Sequence, residues 1–202
     1  MSTVTRLGPG DHGRELSFDE YMAGDYEEGW HYELIDGSLY VTPAPNYSHD
    51  WLEKLIFRSL QEYSSKHPDI IGHVTDKARV FVPGARRTTA PEPDIVAYRR
   101  VPPGRRVDWR EISPFIVAEI LGHGSEDKDL ERNVDLYLRV PSIEEYWVFD
   151  IREDPDQPLM RAHRRRGAGW EVIDLAADKS YTTPLLPGFS LRVDPSRDIP
   201  GA

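Results

Sequence analysis

The chain has 202 residues, 39% of them hydrophobic and 30% charged, with a net charge of −10 and an isoelectric point near 5.2. These values fit one soluble globular domain with a real core, and their sign argues against a protein that coats nucleic acid without specificity. Zero cysteines exclude disulfides and thiolate metal sites and fit a reducing cytoplasm, no apolar run approaches the roughly 20 residues that cross a bilayer, and residues 1–13 lack a secretory signal pattern.

Residues 1–16 read as an N-terminal extension, 17–193 as the folded domain and 194–202 as a tail. Ser17, Phe18, Asp19 and Glu20 form a capping box, which predicts a short helix over about 18–23. Nine acidic residues and one arginine, Arg14, lie between Asp11 and Asp36. Residues 31–35 and 38–42 predict two strands joined by the Asp36-Gly37 turn, a strong hairpin signal. From about 47 to 66, Leu52, Leu55, Ile56, Leu60 and Tyr63 recur at helical spacing. Strands are expected over 70–75, 79–82 and 94–98, with loops over 86–92 and 101–110. Residues 115–121 are apolar on both faces, the pattern of a central covered strand. A turn at 122–125 leads into a second helix over about 125–139, with Leu130, Val134, Tyr137 and Leu138 on its core face. Residues 145–150 predict another buried strand, 159–165 and 170–175 a hairpin, and 181–193 a short strand with a Pro-rich loop. The order predicts an α/β (mixed α+β) fold with a mixed central sheet flanked by helices.

Three carboxylates stand on or beside these strands: Glu33, Asp94 and Glu119. A carboxylate in a buried strand is costly unless something neutralises it. Magnesium prefers hard oxygen ligands, so Asp94 and Glu119 on neighbouring strands can converge on one divalent ion, with Glu33 in support. Plainer roles compete. Asp94 can open a strand and bond a neighbouring amide, Glu119 can pair with an arginine, and Glu33 can face solvent. His49 reads as a capping histidine or a ligand, and His123 as a surface group or a metal or phosphate contact. Tyr146 and Trp147 read as core packing rather than a base-stacking platform. The arginines at 86, 87, 99, 100, 105, 106, 110, 161 and 164–166 are either solvated or a basic rim that steers a polyanion, with Arg86 and Arg87 the candidate nucleic-acid contacts.

Pro93-Asp94 followed by Ala118-Glu119-Ile120 resembles the PD-(D/E)xK nuclease superfamily. More narrowly, the chain resembles the Uma-two family of restriction-endonuclease-like proteins. That resemblance also rests on residues 32–37, on 43–49 with His49 leading into a helix, on 129–137 and on 145–150, in the family's order. It implies a restriction-endonuclease-like core, a Mg2+ or Mn2+ ion held by Asp94 and Glu119, and hydrolysis of phosphodiester bonds in nucleic acid. The chain also departs from the pattern. The superfamily lysine position holds Leu121, and the position where the family places its lysine holds Asn133, a neutral amide that cannot supply a lysine's charge. Lys128 and Arg132 are the candidate substitutes, Arg132 being about 100° around a regular helix from Asn133. Three functions follow: a divalent-metal-dependent endonuclease, an inactive relative that binds nucleic acid or a protein, or an oligomeric module whose 159–175 hairpin and tail pack in a homodimer.

Overall fold

The computed structural model describes residues 6–76, 78–102, 108–122 and 128–192, the side chains of Lys128 and Asp129 excepted. Near the N-terminus, β1 (Arg6–Leu7) and β2 (Asp25–Tyr26) pair in parallel on either side of α1 (Phe18–Met22). The capping box of α1 forms as its sequence requires: Glu20 N–H donates to Ser17 Oγ at 3.2 Å, and the Glu20 carboxylate accepts from Ser17 N–H at 2.8 Å. An antiparallel hairpin follows, β3 (Trp30–Ile35) with β4 (Ser38–Pro43). Its turn residues Asp36 and Gly37 both have positive φ, 47° and 75°, which matches the twist of a two-residue hairpin. Leu7, Tyr21, Tyr32, Leu34 and Leu39 form a small core beneath. Residues 6–16, expected as an extension, are bonded into this unit: Gly13 N–H donates to Leu39 O at 2.7 Å and Leu16 N–H to Gly37 O at 2.9 Å.

The main sheet runs through β5 (His73–Thr75), β6 (Ile95–Tyr98), β7 (Ile116–Leu121), β8 (Glu145–Asp150), β9 (Leu159–Arg166) and β10 (Gly169–Leu175), adjacent in that order. Only β7 and β8 pair in parallel; every other pair in the sheet is antiparallel. Parallel neighbours need a crossover, and here it contains α3 (Asn133–Leu138), entered through a π-helical turn at Lys128–Arg132. The long helix α2 (Tyr47–Lys66) precedes β5 and lays Leu52, Ile56 and Leu60 on the face that carries Ile95, Ala97, Ile116, Ala118 and Ile120. The opposite face, with Val96, Tyr98, Val117 and Leu121, meets Leu136 and Tyr137 of α3 and Ile35 of the hairpin. Alternation along one strand thus feeds two cores. Tyr146 and Trp147 are both fully buried, one on each face. Beyond the sheet, β11 (Ser180–Tyr181) pairs with β12 (Leu191–Arg192).

Three sequence expectations change here. The strand expected over 70–75 is confined to His73–Thr75, and 79–82 joins no regular ladder. Instead Val80 N–H donates to Pro91 O and Val82 N–H to Thr89 O, both at 3.0 Å, while Ala90 N–H donates to Leu34 O at 2.7 Å. Residues 78–92 therefore make an irregular hairpin lying on β3, and 86–92, expected as a loop, is mostly its returning arm. Pro83, Pro91 and Pro93 lack the amide donors a full ladder requires. The second helix, expected over about 125–139, is helical over 128–138, its first part a π-helical turn, with 123–127 outside the described residues; one side chain closes it. Arg165 of β9 donates from Nη2 to Tyr137 O (3.1 Å) and Val140 O (2.9 Å), from Nη1 to Leu138 O (3.0 Å) and from Nε to Ile143 O (2.6 Å). Tyr137 O and Leu138 O belong to the last turn of α3, where carbonyls lack i+4 partners, and Val140 O and Ile143 O lie just beyond it.

Candidate active site

The root of the 78–92 hairpin, α1, β3 and the first turns of α2 enclose a cleft of about 530 Å³, whose lining includes Trp30, Glu53, Arg79, Glu92 and Asp94. Asn46 caps α2 by accepting from His49 N–H at 3.1 Å, which fixes His49 in the first turn. Glu53, four residues on, shares its face. Continuing the β6–β7 register outward from Ile95 opposite Ala118 sets Asp94 across from Glu119. Asp94 Oδ2 accepts from Ile120 N–H at 2.7 Å and lies 3.2 Å from His49 Nε2. His49 Nδ1 lies 3.8 Å from Glu53 Oε2. One donor atom from each of His49, Glu53 and Asp94 falls within 4.8 Å of the others. Burial, then the nearby negative charge of Asp94, push Glu53 up to about 7, against the pull of His49.

A second constellation stands on the α3 side. Glu119 is 1% exposed, and its Oε1 accepts from Asn133 Nδ2 and from the Tyr137 hydroxyl, each at 2.9 Å. Burial and then the Glu119 charge hold the Tyr137 hydroxyl well above its ordinary pKa. Arg132 Nη2 donates to Glu33 Oε2 at 2.7 Å, while its Nε and Nη2 reach Asn133 Oδ1 at 3.1 and 3.0 Å. Its guanidinium lies over the Tyr40 ring at 5.1 Å. Glu33 Oε1 accepts from Glu92 N–H at 3.1 Å, so Glu33 is buried and ion-paired rather than solvated. Arg132 ends a π-helical turn, a distortion common at functional sites, and its long side chain folds back so that the guanidinium meets the amide oxygen of its chain neighbour Asn133.

Each expected site residue can now be placed. Asp94 lines the cleft with Glu53, and His49 touches it; Glu119 lies outside the cleft lining and belongs with Glu33, Asn133 and Arg132. Leu121 is apolar core. Arg86 and Arg87 sit at the far tip of the 78–92 hairpin, both exposed, with Arg87 paired to Glu15 at 2.5 Å. The side chain of Lys128, all of His123 and Lys77 lie outside the described residues. Sequence reasoning passed over Glu53 and Arg79. The spacing of His49 and Glu53 on a secure helix was a usable signal for the first; nothing local marked the second.

A mixed sheet covered on both faces, with carboxylates at the β6–β7 pair and a histidine–glutamate turn packed beside them, defines a restriction-endonuclease-like domain. Residues 18–194 match Uma2, a family described as "Putative restriction endonuclease", and the chain belongs to that family. A solved structure of a "putative nuclease belonging to DUF820" from Anabaena variabilis is similar over 88% of this chain and 95% of that one, with a TM-score of 0.63 and 17% identity. At that identity the likeness shows a shared fold. No curated protein matches the chain. Among the described residues, no helix is long and apolar enough to cross a membrane.

Proposed function

We propose that this protein is a divalent-metal-dependent nuclease that hydrolyses phosphodiester bonds. One observation carries the reading: an imidazole and two carboxylates, His49, Glu53 and Asp94, converge beside an open cleft in a nuclease-family fold. The donor chemistry fits a cation. Burial, and then the charge of Asp94, push Glu53 up to about 7, and a positive charge between the two carboxylates relieves both effects. Hard oxygens suit Mg2+ or Mn2+, and the imidazole favours Mn2+. Asp94, His49 and Glu53 would hold the ion, and Glu119 stands behind Asp94 across the strand pair. A bound divalent ion supplies an activated water and neutralises charge on the phosphate.

The remaining work falls to the chain itself. Ile120 N–H fixes one Asp94 oxygen, and Asn46 fixes the turn that presents His49. In hydrolysis a bond forms from the water oxygen to phosphorus as the bond to the leaving sugar oxygen breaks, and that oxygen departs with a proton. Titration with Mn2+ followed by calorimetry, together with cleavage of DNA and RNA, tests this reading. Asp94→Ala should abolish measurable Mn2+ binding and lower cleavage by about 10²–10³-fold or more. Cleavage that persists in chelator, or unchanged cleavage in the variant, would overturn it.

A second reading has its own support. Asn133, at the family's lysine position, donates a neutral amide to Glu119 rather than a charge. That favours a metal-binding relative that grips nucleic acid without cutting it. Mn2+ binding with no turnover on any nucleic acid would select this reading.

A further inference from the structure

The cleft is short of positive charge. Five carboxylate residues line it, Asp50, Glu53, Asp76, Glu92 and Asp94, and among the described residues Arg79 is the one lysine or arginine in the lining. A phosphodiester brings further negative charge to that place, and among carboxylates a cationic donor offsets that charge better than a neutral one. Arg132 does not serve. Its guanidinium is committed to Glu33 and Asn133, it packs over Tyr40, and it is absent from the cleft lining.

Arg79 is held differently. Its Nε lies 2.6 Å from Glu92 Oε1 and 3.5 Å from the Tyr21 hydroxyl, with the guanidinium carbon 5.0 Å from the Tyr21 ring centroid. Tyr21 is fully buried, and its own hydroxyl reaches Tyr32 O at 2.7 Å and Glu92 Oε1 at 2.6 Å. Ring, hydroxyl and carboxylate thus fix the near side of the guanidinium. Both of these polar contacts leave from Nε, and the two Nη groups carry the remaining donors. The side chain keeps a quarter of its surface accessible in the cleft that also holds Asp94 and Glu53.

We propose that Arg79 is the phosphate-gripping residue of this site. Its Nη groups would donate to the non-bridging oxygens of the substrate phosphodiester, aimed by Glu92 and Tyr21 as positioning residues. The inference rests on the nuclease reading and names the residue that contacts the substrate. Arginine suits the task because its planar fork matches a phosphate and it keeps its proton throughout. It therefore acts by charge and hydrogen bonding alone, and every proton in the hydrolysis is carried by other groups.

The test uses the Asp94→Asn full-length protein, so that binding is measured without turnover, and a short fluorescein-labelled DNA duplex and single strand as probes. Fluorescence anisotropy across a salt series gives affinity and the slope of log Kd against log salt. Arg79→Gln should weaken binding about tenfold near 0.1 M salt and reduce the slope by about one, as the loss of one phosphate contact requires. Arg79→Lys should recover the slope, while in the Asp94 parent it restores only part of kcat. Arg79→Gln alone strands the Glu92 charge, so Arg79→Gln/Glu92→Gln is measured beside it. This pair should melt within a few degrees of the parent and still show the reduced slope. Unchanged affinity and slope in a protein that binds or cleaves DNA would overturn the role of Arg79 and leave the nuclease reading standing. If the parent neither binds nor cleaves DNA or RNA, both fall.

Discussion

Glu145 and Asp94 are both acidic side chains at the start of strands in one sheet, yet their surroundings are opposite in kind. Glu145, at the head of β8, is 1% exposed and saturated. Its Oε1 accepts from Arg164 Nε (3.0 Å) and the Thr183 hydroxyl (2.6 Å), and its Oε2 from Trp147 Nε1 and the Tyr181 hydroxyl (both 2.8 Å). One guanidinium and three neutral donors surround one carboxylate, tying the β11 region to the sheet. Asp94 meets an amide, an imidazole and, close by, a second carboxylate that has been pushed towards neutrality. The first arrangement is a structural pin with its charge compensated. The second concentrates negative charge beside a cleft, which is the condition a cation relieves. Burial alone does not tell these carboxylates apart; the charge of their neighbours does.

The sharpest way to break this contrast is to remove the pin. Glu145→Ala should destabilise the fold by about 3–5 kcal/mol, because Arg164 and three polar groups lose their shared partner. Urea denaturation reads this directly, and a loss below about 1 kcal/mol would mean that the network is ornamental. Next in size is a pH effect on the same side of the molecule. His163 stacks on Tyr146 at 5.5 Å, and its ring nitrogens find no hydrogen-bond partner among the described residues. Burial, then the charge of Arg161, lower it to about 4 from 6.5, with Asp174 opposing. The unfolded chain therefore binds more protons between pH 6.5 and 4, so this contribution is complete above 6.5 and is lost as pH falls towards 4. It amounts to at most about 3 kcal/mol. His163→Phe should flatten the stability profile across that window; a profile that still falls as in the parent would assign the acid sensitivity to other groups.

The smallest effect sharpens the other half of the contrast. Glu53 has its folded pKa raised from 4.5 to about 7, so its contribution is present below 4.5 and is lost as pH rises through 7. Glu53→Gln should make the metal-free protein about 1 kcal/mol more stable at pH 8. It should also remove most of the rise in melting temperature that Mn2+ gives the parent. A variant less stable than the parent at pH 8 would mean that the carboxylate is compensated after all.

Much of the frame was legible in the residues. The Asp36-Gly37 turn announced its hairpin, the apolar spacing from 52 to 63 announced α2, and the two-faced strands at 116–121 and 145–150 announced the sheet's centre. These signals are local, and tertiary packing reinforced them. The site was legible only in part. Asp94 stood out beside Pro93, and Glu119 stood out against its apolar run. The sequence could not show that α2 and α3 would divide them, one taking Asp94 through His49 and the other taking Glu119 through Asn133 and Tyr137. Spacing within each element was readable; the docking of one element on another was not. The meeting of Arg132 and Asn133 escaped for another reason, since helical arithmetic places Cβ atoms around an axis and does not say where a long guanidinium arm will fold. Arg79 was invisible because its meaning lies in Tyr21 and Glu92, one of them far away in sequence and both unremarkable alone.

The grip of Arg165 on the end of α3 makes the far edge of the sheet a silent stakeholder in the centre. The regular α-helical part of the crossover is only six residues, and the strand that steadies its end is formed well after it in the chain. Substitutions in that outlying hairpin will therefore register as tilts of Asn133 and Tyr137 against Glu119, while the His49 side, anchored by a twenty-residue helix, stays put.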